Sequence, residues 1–156
     1  MEQDCNDKKT TAMADTPPGP DCFKHSTDIQ IRFNDIDMLG HLNNTMYFSY
    51  FDIGKADYFN AIRRTDNHWG HLDIVIVNVN CDFMSQVRYT ERIAVKTRVS
   101  YIRNKSFEVL QEMVDKDSNE IKAVCRTVMV GFDPATGKSA PLSPEWKKAI
   151  ADFEGA

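Results

Sequence analysis

One long helical pattern, from about Asn43 to Ile62, constrains the fold more than any other feature of this sequence. Its apolar and small residues recur every three or four positions, so they fall on one side of a helix. They are Tyr47, Tyr50, Phe51, Gly54, Tyr58, Ala61 and Ile62. Phe48 and Phe59 widen this apolar surface at one flank. Because so wide an apolar surface is unfavourable in water, another element must cover the helix.

Strand patterns on both sides of the helix indicate what covers it. From Thr27 onward, Ile29, Ile31 and Phe33 alternate with polar residues, which is the period of a half-buried strand. Four further runs read as strands, at 73–83, 93–101, 107–113 and 121–132. A short terminal helix starts at Ser143. Consecutive strands joined by short turns favour an antiparallel sheet, so this order predicts a two-layer α+β domain.

Composition indicates one domain preceded by a polar segment. The 156 residues are 42% hydrophobic, which is enough for a single buried core. Residues 1–26 are polar and include the stretch DTPPGPD, so they cannot bury enough apolar surface to offset the entropy lost on ordering. We therefore predict a flexible tail over 1–26 and a folded domain over 27–156.

Charge, hydropathy and cysteine spacing exclude several classes of protein. A net charge of -4 with 27% charged residues lacks the basic surface of a nucleic-acid-binding protein. No apolar run is long enough for a membrane span, and the first twenty residues lack the apolar middle of a signal peptide. The four cysteines, Cys5, Cys22, Cys81 and Cys125, show no Cys-x-x-Cys spacing. We therefore expect a cytosolic protein in a reducing compartment.

A dense polar cluster lies where the first strand gives way to the helix, in DIDMLGHLNNTMYF, residues 35–48. If the chain is extended there, Asp35 and Asp37 share one face at roughly 6.6 Å. A helix start offers unpaired amides and a positive dipole end, which suit an oxygen that gains negative charge during acyl transfer. Asp37 would act on a carbonyl as nucleophile, or on water as general base, while amides from Asn43 to Thr45 polarise that carbonyl.

The same residues also have a purely structural interpretation. Asp35 and Asp37 suit turns in which an aspartate bonds its own backbone, and His41 suits a polar loop. Asn43 and Asn44 suit the cap of a helix. Residue chemistry taken alone favours this structural interpretation over a catalytic one.

The spacing of the whole segment resembles that of a known family. The motif Asp-x-Asp-x-x-Gly-His-x-Asn-Asn-x-x-Tyr, from Asp35 to Tyr47, is similar to that of hotdog-fold thioesterases of the 4-hydroxybenzoyl-CoA thioesterase-like group and their acyl-ACP thioesterase relatives. The order of elements from about Ile29 to Phe132 also resembles the hotdog fold. The resemblance implies a long central helix wrapped by a five-stranded antiparallel sheet. It further implies an acyl-CoA thioester hydrolase that needs neither cofactor nor metal.

The resemblance implies catalytic roles for residues of the motif. Asp37 matches the catalytic carboxylate of the family. Asp35 would support Asp37 indirectly, without contacting the substrate. His41 and Asn43 match residues that orient the acid, the water or the thioester carbonyl. Asn44 falls where another branch places a residue near the reacting carbonyl, with helix-start amides as the oxyanion site.

The resemblance also implies where the substrate lies. Tyr47 begins the apolar stripe that would follow the acyl chain. Arg103, Lys105 and Ser106 resemble the basic turn that meets the nucleotide phosphates in CoA-using members. Asp52 takes the position of a frequent helix acid that supports the site indirectly.

Two departures from plant-type acyl-ACP enzymes, Leu39 and Lys55 in place of Asn and Arg, favour acyl-CoA as the substrate. Hydrolysis of acyl-ACP, and binding of acyl thioesters without cleavage, remain alternatives. His68 and His71 have the spacing of a metal-binding pair but no fixed third ligand. The family implies a homodimer or a dimer of dimers, in which Asp37 of one chain meets the basic turn of its partner.

Overall fold

The computed structural model describes residues 23–63 and 73–155. In chain order its elements are β1 (His25–Ile29), a 3-10 turn (Phe33–Asp35), α1 (Asn44–Ile62), β2 (Ile74–Phe83), β3 (Ile93–Ile102), β4 (Ser106–Asp115), β5 (Ile121–Asp133), β6 (Lys138–Ser139) and α2 (Pro144–Glu154). Positions 1–22 of the predicted tail lie outside the described residues, and β1 starts two residues before Thr27. In the described ranges no helix is long and apolar enough to cross a bilayer.

The strands form one antiparallel sheet in the order β1-β3-β4-β5-β2. β3, β4 and β5 follow one another through tight turns, and the second of these turns uses Asn119 at a φ of 60°. β2 pairs with β5 rather than with β3, so it lies at one edge of the sheet and β1 lies at the other. The short strand β6 adds a further pairing to β5. The sheet and the long helix confirm the predicted hotdog architecture, with β6 as an addition.

The helix α1 packs across the inner face of this sheet. Gly54 makes the close contact with β3 possible, since a Cβ at this position would lie 2.6 Å from Val95 Cγ1. The Gln111 side chain of β4 donates from Nε2 to the Phe51 carbonyl oxygen at 2.9 Å, which fixes the helix to the sheet. With 19 residues, α1 is about 28 Å long, so its two ends lie in different surroundings.

Two hydrophobic clusters fill the space between α1 and the sheet, one at each end of the helix. The N-end cluster comprises Ile29, Leu42, Tyr47, Tyr50, Phe51, Val87, Ile93, Val95, Met113, Ala123 and Cys125. The C-end cluster comprises Tyr58, Phe59, Val99, Phe107, Val109, Met129, Leu142, Trp146 and Ile150. The buried residues of α2 belong to the C-end cluster, so α2 covers the C-terminal end of α1.

Two details of the predicted strand pattern are wrong. Phe33 is 80% exposed rather than on the inner face of a strand, because β1 ends at Ile29 and the chain then enters the 3-10 turn. In β2, a β-bulge between Ile76 and Asn78 interrupts the alternation and leaves Val77 exposed. A bulge inserts an unpaired residue, so the side chains of β2 do not alternate regularly between the two faces of the sheet.

Candidate active site

The loop that precedes α1 closes on itself as a tight turn. Ile36 and Leu42 pair as an isolated antiparallel bridge. The Asp37 amide donates to the His41 carbonyl oxygen at 2.9 Å, and the Gly40 amide donates to the Asp37 carbonyl oxygen at 3.1 Å. Gly40 has a φ of 82°, which glycine adopts without steric cost. The loop therefore holds the Asp37 backbone in one position.

The Asp37 side chain is fixed through one of its two oxygens. Its Oδ1 accepts from the Leu39 amide at 2.9 Å and from the His41 amide at 3.4 Å, as in the predicted aspartate turn. Within residues 23–63 and 73–155, no hydrogen bond engages the other oxygen, Oδ2. Asp37 is half-buried and lines a cleft, so Oδ2 can meet a bound molecule.

Asp35 ties this loop to α1. The Asp35 carboxylate is 6% exposed, and its Oδ2 accepts from the Tyr50 hydroxyl at 2.5 Å and from the Arg32 amide at 3.0 Å. The Asp35 carbonyl oxygen also accepts from the Asn43 amide at 2.9 Å. Burial, together with the hydrogen bond to Asp35, raises the pKa of Tyr50 above its usual value. The extended geometry expected for Asp35 and Asp37 is wrong, because Asp35 ends a 3-10 turn and the two carboxylates line different depressions.

The first turn of α1 leaves one amide available. Asn43 caps the helix, because its Oδ1 accepts from the Thr45 amide at 3.0 Å and from the Thr45 hydroxyl at 2.9 Å. The Asn43 amide is already bonded to Asp35. Among the described residues, the Asn44 amide has no hydrogen-bond partner. Of the amides predicted to polarise a carbonyl, those of Asn43 to Thr45, only the Asn44 amide is therefore available among the described residues.

A cleft of about 450 Å³ gathers the residues of the motif at the N-terminal end of α1. Its lining residues are Asp37, Leu39, His41, Leu42, Asn43, Asn44, Tyr47, Phe83, Met84, Ser85 and Gln86. Tyr47 is buried at its base and its ring meets the edge of Phe83, with 4.9 Å between the ring centres. Burial raises the pKa of the Tyr47 hydroxyl, which keeps it protonated. The structure thus brings together Asp37, His41, Asn43, Asn44 and Tyr47 of the predicted site.

Sequence reasoning missed the opposite wall of the cleft, residues 83–86. These residues directly follow β2 and carry no motif that would have identified them. Lys122 holds the wall in place, since its ammonium donates to the Gln86 carbonyl oxygen at 3.1 Å and to Glu91 and Glu120 at 2.9 Å each. The Tyr47 hydroxyl lies 3.5 Å from the Ser85 carbonyl oxygen. The wall is therefore anchored to both β5 and α1.

The predicted phosphate-binding residues Arg103, Lys105 and Ser106 lie away from this cleft. Arg103 and Lys105 belong to the β3–β4 turn and Ser106 begins β4. The turn contacts the region of α2 through Asn104, at the C-terminal end of α1. The Arg103 guanidinium stacks over the Tyr101 ring at 4.8 Å from its centre. Within one chain the turn and Asp37 are not brought together. A contribution of this turn from a partner subunit stays a prediction.

Asp52 lies on the solvent side of α1 and does not line the cleft. Its carboxylate pairs with the Lys55 ammonium at 2.9 Å, and Lys55 itself is buried against the sheet. The ammonium also acts on Cys125, whose pKa it helps to lower. A supporting role for Asp52 in catalysis stays a prediction.

No metal site is found in the part of the chain that the structure describes, where no group of three or more His, Cys, Asp or Glu side chains could hold an ion. The pair His68 and His71 lies outside the described residues. His41 lines the cleft from the loop that precedes α1.

Comparison with known proteins agrees with this architecture. Residues 31–150 match the model of the thioesterase-like superfamily. YsmA of Bacillus subtilis (strain 168) is 24% identical over 128 residues, which cover 82% of this chain and 86% of YsmA. A thioesterase from Thermus thermophilus, solved in complex with coenzyme A and Zn, superposes with a TM-score of 0.75 at 24% identity over 86% of this chain and 97% of its own. A 1,4-dihydroxy-2-naphthoyl-CoA thioesterase from Synechocystis gives a TM-score of 0.74 at 19% identity, covering 83% and 97%.

Proposed function

Since this chain belongs to the thioesterase-like superfamily, we propose that it hydrolyses acyl-CoA thioesters to a carboxylic acid and free CoA. The observation that carries this proposal is a pair of polar groups in the cleft that no group of residues 23–63 and 73–155 bonds, the Asp37 Oδ2 oxygen and the Asn44 amide. Both groups lie at the open cleft, where a bound ligand can replace water as their hydrogen-bond partner. A thioester carbonyl supplies both, an electrophilic carbon for the carboxylate and an oxygen for the amide.

The Asn44 amide acts as the electrophilic partner in this proposal. It donates to the carbonyl oxygen of the thioester, where the positive end of the α1 dipole adds to the stabilisation of developing negative charge. The Asn43 cap occupies the Thr45 amide and so fixes the geometry of the first turn. His41 donates its amide to Asp37 and thereby keeps the carboxylate oriented.

Asp37 supplies the other half of the reaction. As a general base it takes a proton from water, whose oxygen attacks the carbonyl carbon, and the CoA thiolate then leaves and takes up that proton. As a nucleophile its Oδ2 attacks the carbon directly, expels the thiolate and forms an acyl anhydride that water cleaves in a second step. Both routes start from the same arrangement, in which two amides hold Oδ1 and leave Oδ2 available.

The proposed substrate is a CoA ester. The similar Thermus protein is described with coenzyme A bound, and the similar Synechocystis protein as a thioesterase for a CoA ester. In a homodimer or a dimer of dimers, the basic turn of the partner subunit would bind the nucleotide phosphates of CoA. A cytosolic location of the protein also stays a prediction.

A panel of acyl thioesters tests this proposal. The purified protein is expected to release free thiol from acyl-CoAs faster than from matched acyl-ACPs. Replacing Arg103 and Lys105 by Ala should raise KM for acyl-CoA several-fold and leave KM for the matching acyl-pantetheine unchanged, since the latter lacks the nucleotide phosphates.

Three results would each change the proposal. Faster release from acyl-ACP would reassign the substrate. Saturable binding of acyl-CoA with no thiol released from any ester would make the protein a binder without catalytic activity. An unchanged KM for acyl-CoA in the double variant would remove the basic turn from the site.

A further inference from the structure

Two cysteines face each other on the neighbouring strands β2 and β5. Cys81 on β2 is the direct register partner of Cys125 on β5, so both side chains lie on the same face of the sheet. That face is the inner one, because Cys125 is 1% exposed within the N-end cluster and Cys81 packs against the same cluster. Cys81 is only half-buried and belongs to an edge strand, so small solutes reach it from solvent.

The hydrogen bonds beside this pair determine its geometry. The Met84 amide donates to the Lys122 carbonyl oxygen at 2.9 Å, and these residues are opposite one another in the register that pairs Phe83 with Ala123. Hydrogen-bonded and non-hydrogen-bonded pairs alternate along an antiparallel ladder. Cys81 and Cys125 lie three pairs away from the hydrogen-bonded pair Met84 and Lys122, so they form a non-hydrogen-bonded pair. Such pairs have Cα atoms about 4.5 Å apart, with their side chains in closest approach.

This separation suits a disulfide at the short limit of its range. Disulfides join Cα atoms that are about 4.4 to 6.8 Å apart, so the bond can form without unpairing the strands. A disulfide near that limit is strained, and strained disulfides are reduced more readily than structural ones. A bond here would therefore be reversible rather than permanent.

The protonation of the pair favours the same chemistry. The interaction between the two thiols lowers the pKa of Cys125 and raises the pKa of Cys81, so Cys125 is the more readily deprotonated of the two. The Thr127 hydroxyl, 3.8 Å from Cys125 Sγ, and the ammonium of Lys55 lower the pKa of Cys125 further. A solvent-accessible cysteine beside a second thiol that can resolve it is the arrangement found in redox-sensitive dithiols.

We propose that Cys81 and Cys125 form a reversible intramolecular disulfide on exposure to hydrogen peroxide, and that this bond alters the cleft. Cys81, the sulfur that solutes reach, loses its proton, and its thiolate attacks one peroxide oxygen and breaks the O–O bond, giving a sulfenic acid at Cys81 and hydroxide, which takes up that proton to become water. The Cys125 sulfur then attacks the sulfenic sulfur, losing its proton, and the sulfenic oxygen leaves as a second water. The two thiols lose two electrons in total and the peroxide gains them.

Phe83 connects this bond to the proposed active site. It lies two residues after Cys81 on the same face of β2, and its ring forms the wall opposite Tyr47. A disulfide directly beneath it changes the spacing of β2 and β5, because relief of strain at this short Cα separation moves the two strands apart, and this displaces the wall. This consequence for catalysis rests on the proposed function, whereas formation of the bond does not.

The test uses the full chain with Cys5→Ser and Cys22→Ser, so that only the two strand cysteines remain. The protein is treated with hydrogen peroxide under native conditions and then denatured in the presence of an alkylating agent. The mass of the intact chain is measured by mass spectrometry. Hydrolysis of an acyl-CoA before and after treatment is followed by loss of thioester absorbance, once the peroxide has been removed. Cys81→Ser and Cys125→Ala, each added to this background, serve as matched controls.

The expected product has lost two hydrogens per chain, carries no alkyl group and returns to the starting mass on treatment with dithiothreitol. Neither single variant yields this product, and oxidation of the parent background changes kcat/KM several-fold in a way that dithiothreitol reverses. Two alkylated thiols, or two separate sulfinic acids, after a treatment that fully oxidises glutathione would overturn the disulfide. A complete disulfide with unchanged kcat/KM would overturn its effect on the cleft, and absence of hydrolysis in the reduced protein would count against the proposed function alone.

Discussion

The two ends of α1 use the same interaction for different purposes. At the C-terminal end, the Tyr58 hydroxyl donates to Glu154 at 2.5 Å, and Glu154 also accepts from the Val99 amide at 3.0 Å. At the N-terminal end, two turns earlier on the helix, the Tyr50 hydroxyl donates to Asp35 at 2.5 Å. Burial and the carboxylate raise the pKa of both tyrosines, so both remain donors. The first bond attaches α2 to the core, and the second attaches the Asp37 loop.

The remaining polar groups differ between the two ends. Glu154 uses one oxygen for two donors, whereas Asp37 and Asn44 each keep one group unbonded among the described residues. Met38 and Leu39 beside them are fully or largely exposed, although they are apolar. The C-terminal end is therefore built for stability and the N-terminal end for binding. Variants at the two ends should separate these properties.

The largest expected effect on stability is that of Trp146→Ala at the C-terminal end. Trp146 is 2% exposed, stacks on Phe107 and donates from Nε1 to Asp73 at 3.0 Å. Its removal should lower the unfolding free energy by about 3–5 kcal/mol, as measured by urea denaturation. Because the cleft lies at the other end of α1, kcat of the folded protein should not change. Trp146→Phe should retain more stability, and a large loss of kcat in a fully folded Trp146 variant would show that the ends are coupled.

A matched pair of tyrosine variants compares the two ends directly. Tyr50→Phe and Tyr58→Phe each remove one hydroxyl that bonds a carboxylate, so each should cost about 1.5–3 kcal/mol of unfolding free energy. Only Tyr50→Phe should also lower kcat, because it releases the loop that carries Asp37. Thermal unfolding and steady-state kinetics measure the two effects. Equal kcat values for the two variants would mean that Asp35 does not position Asp37.

Lys122 provides a smaller and pH-dependent test of the cleft wall. Burial disfavours its charge, but hydrogen bonds with Glu120 and Glu91 outweigh this and raise the pKa of Lys122. Lys122→Met should cost about 1–3 kcal/mol at pH 7, since it leaves a half-buried carboxylate and the Gln86 carbonyl without their donor.

The pH dependence of this variant follows from the raised pKa. The stabilisation is fully present below the pKa of the unfolded chain, about 10.4, and is lost as the pH rises through the higher folded value. The difference in unfolding free energy between parent and variant should therefore shrink above about pH 10.4. Lys116→Met, which breaks a more exposed pair with Asp28, is the control and should cost much less. A difference that persists unchanged above that pH would contradict the assignment.

The sequence predicted those parts of the fold that depend on local pattern. The α1 period and the alternation in β3, β4 and β5 were sufficient, because each of these elements buries at least one continuous face. The prediction for Phe33 was wrong because the alternating pattern continues past the end of β1. Residues 33–35 instead form a 3-10 turn, from which Asp35 accepts the hydrogen bond of Tyr50. That hydrogen bond joins residues 15 positions apart and has no local signature.

The candidate site was predictable only on the side that carries the motif. Asp37, Asn43 and Asn44 lie in one short segment, and the expected turn and cap bonds of Asp37 and Asn43 are present. The wall at 83–86 reaches the cleft because β2 pairs with β5 at the edge of the sheet, which depends on contacts distant in sequence. The pairing of Cys81 with Cys125 has the same origin, since neither residue has a neighbouring cysteine in the sequence.

The central claim is that the Asp37 carboxylate reacts and does not merely close a turn. Asp133 offers a matched control, because its Oδ1 accepts from the amide two residues later at 2.9 Å, as that of Asp37 does, but Asp133 does not line the cleft. The decisive measurement is kcat for acyl-CoA hydrolysis by Asp37→Asn and Asp133→Asn, with thermal unfolding of both. We expect Asp37→Asn to lose about 100-fold or more in kcat at parental stability, and Asp133→Asn to keep the parental kcat. Parental kcat in Asp37→Asn would contradict the account and leave Asp37 as a turn residue.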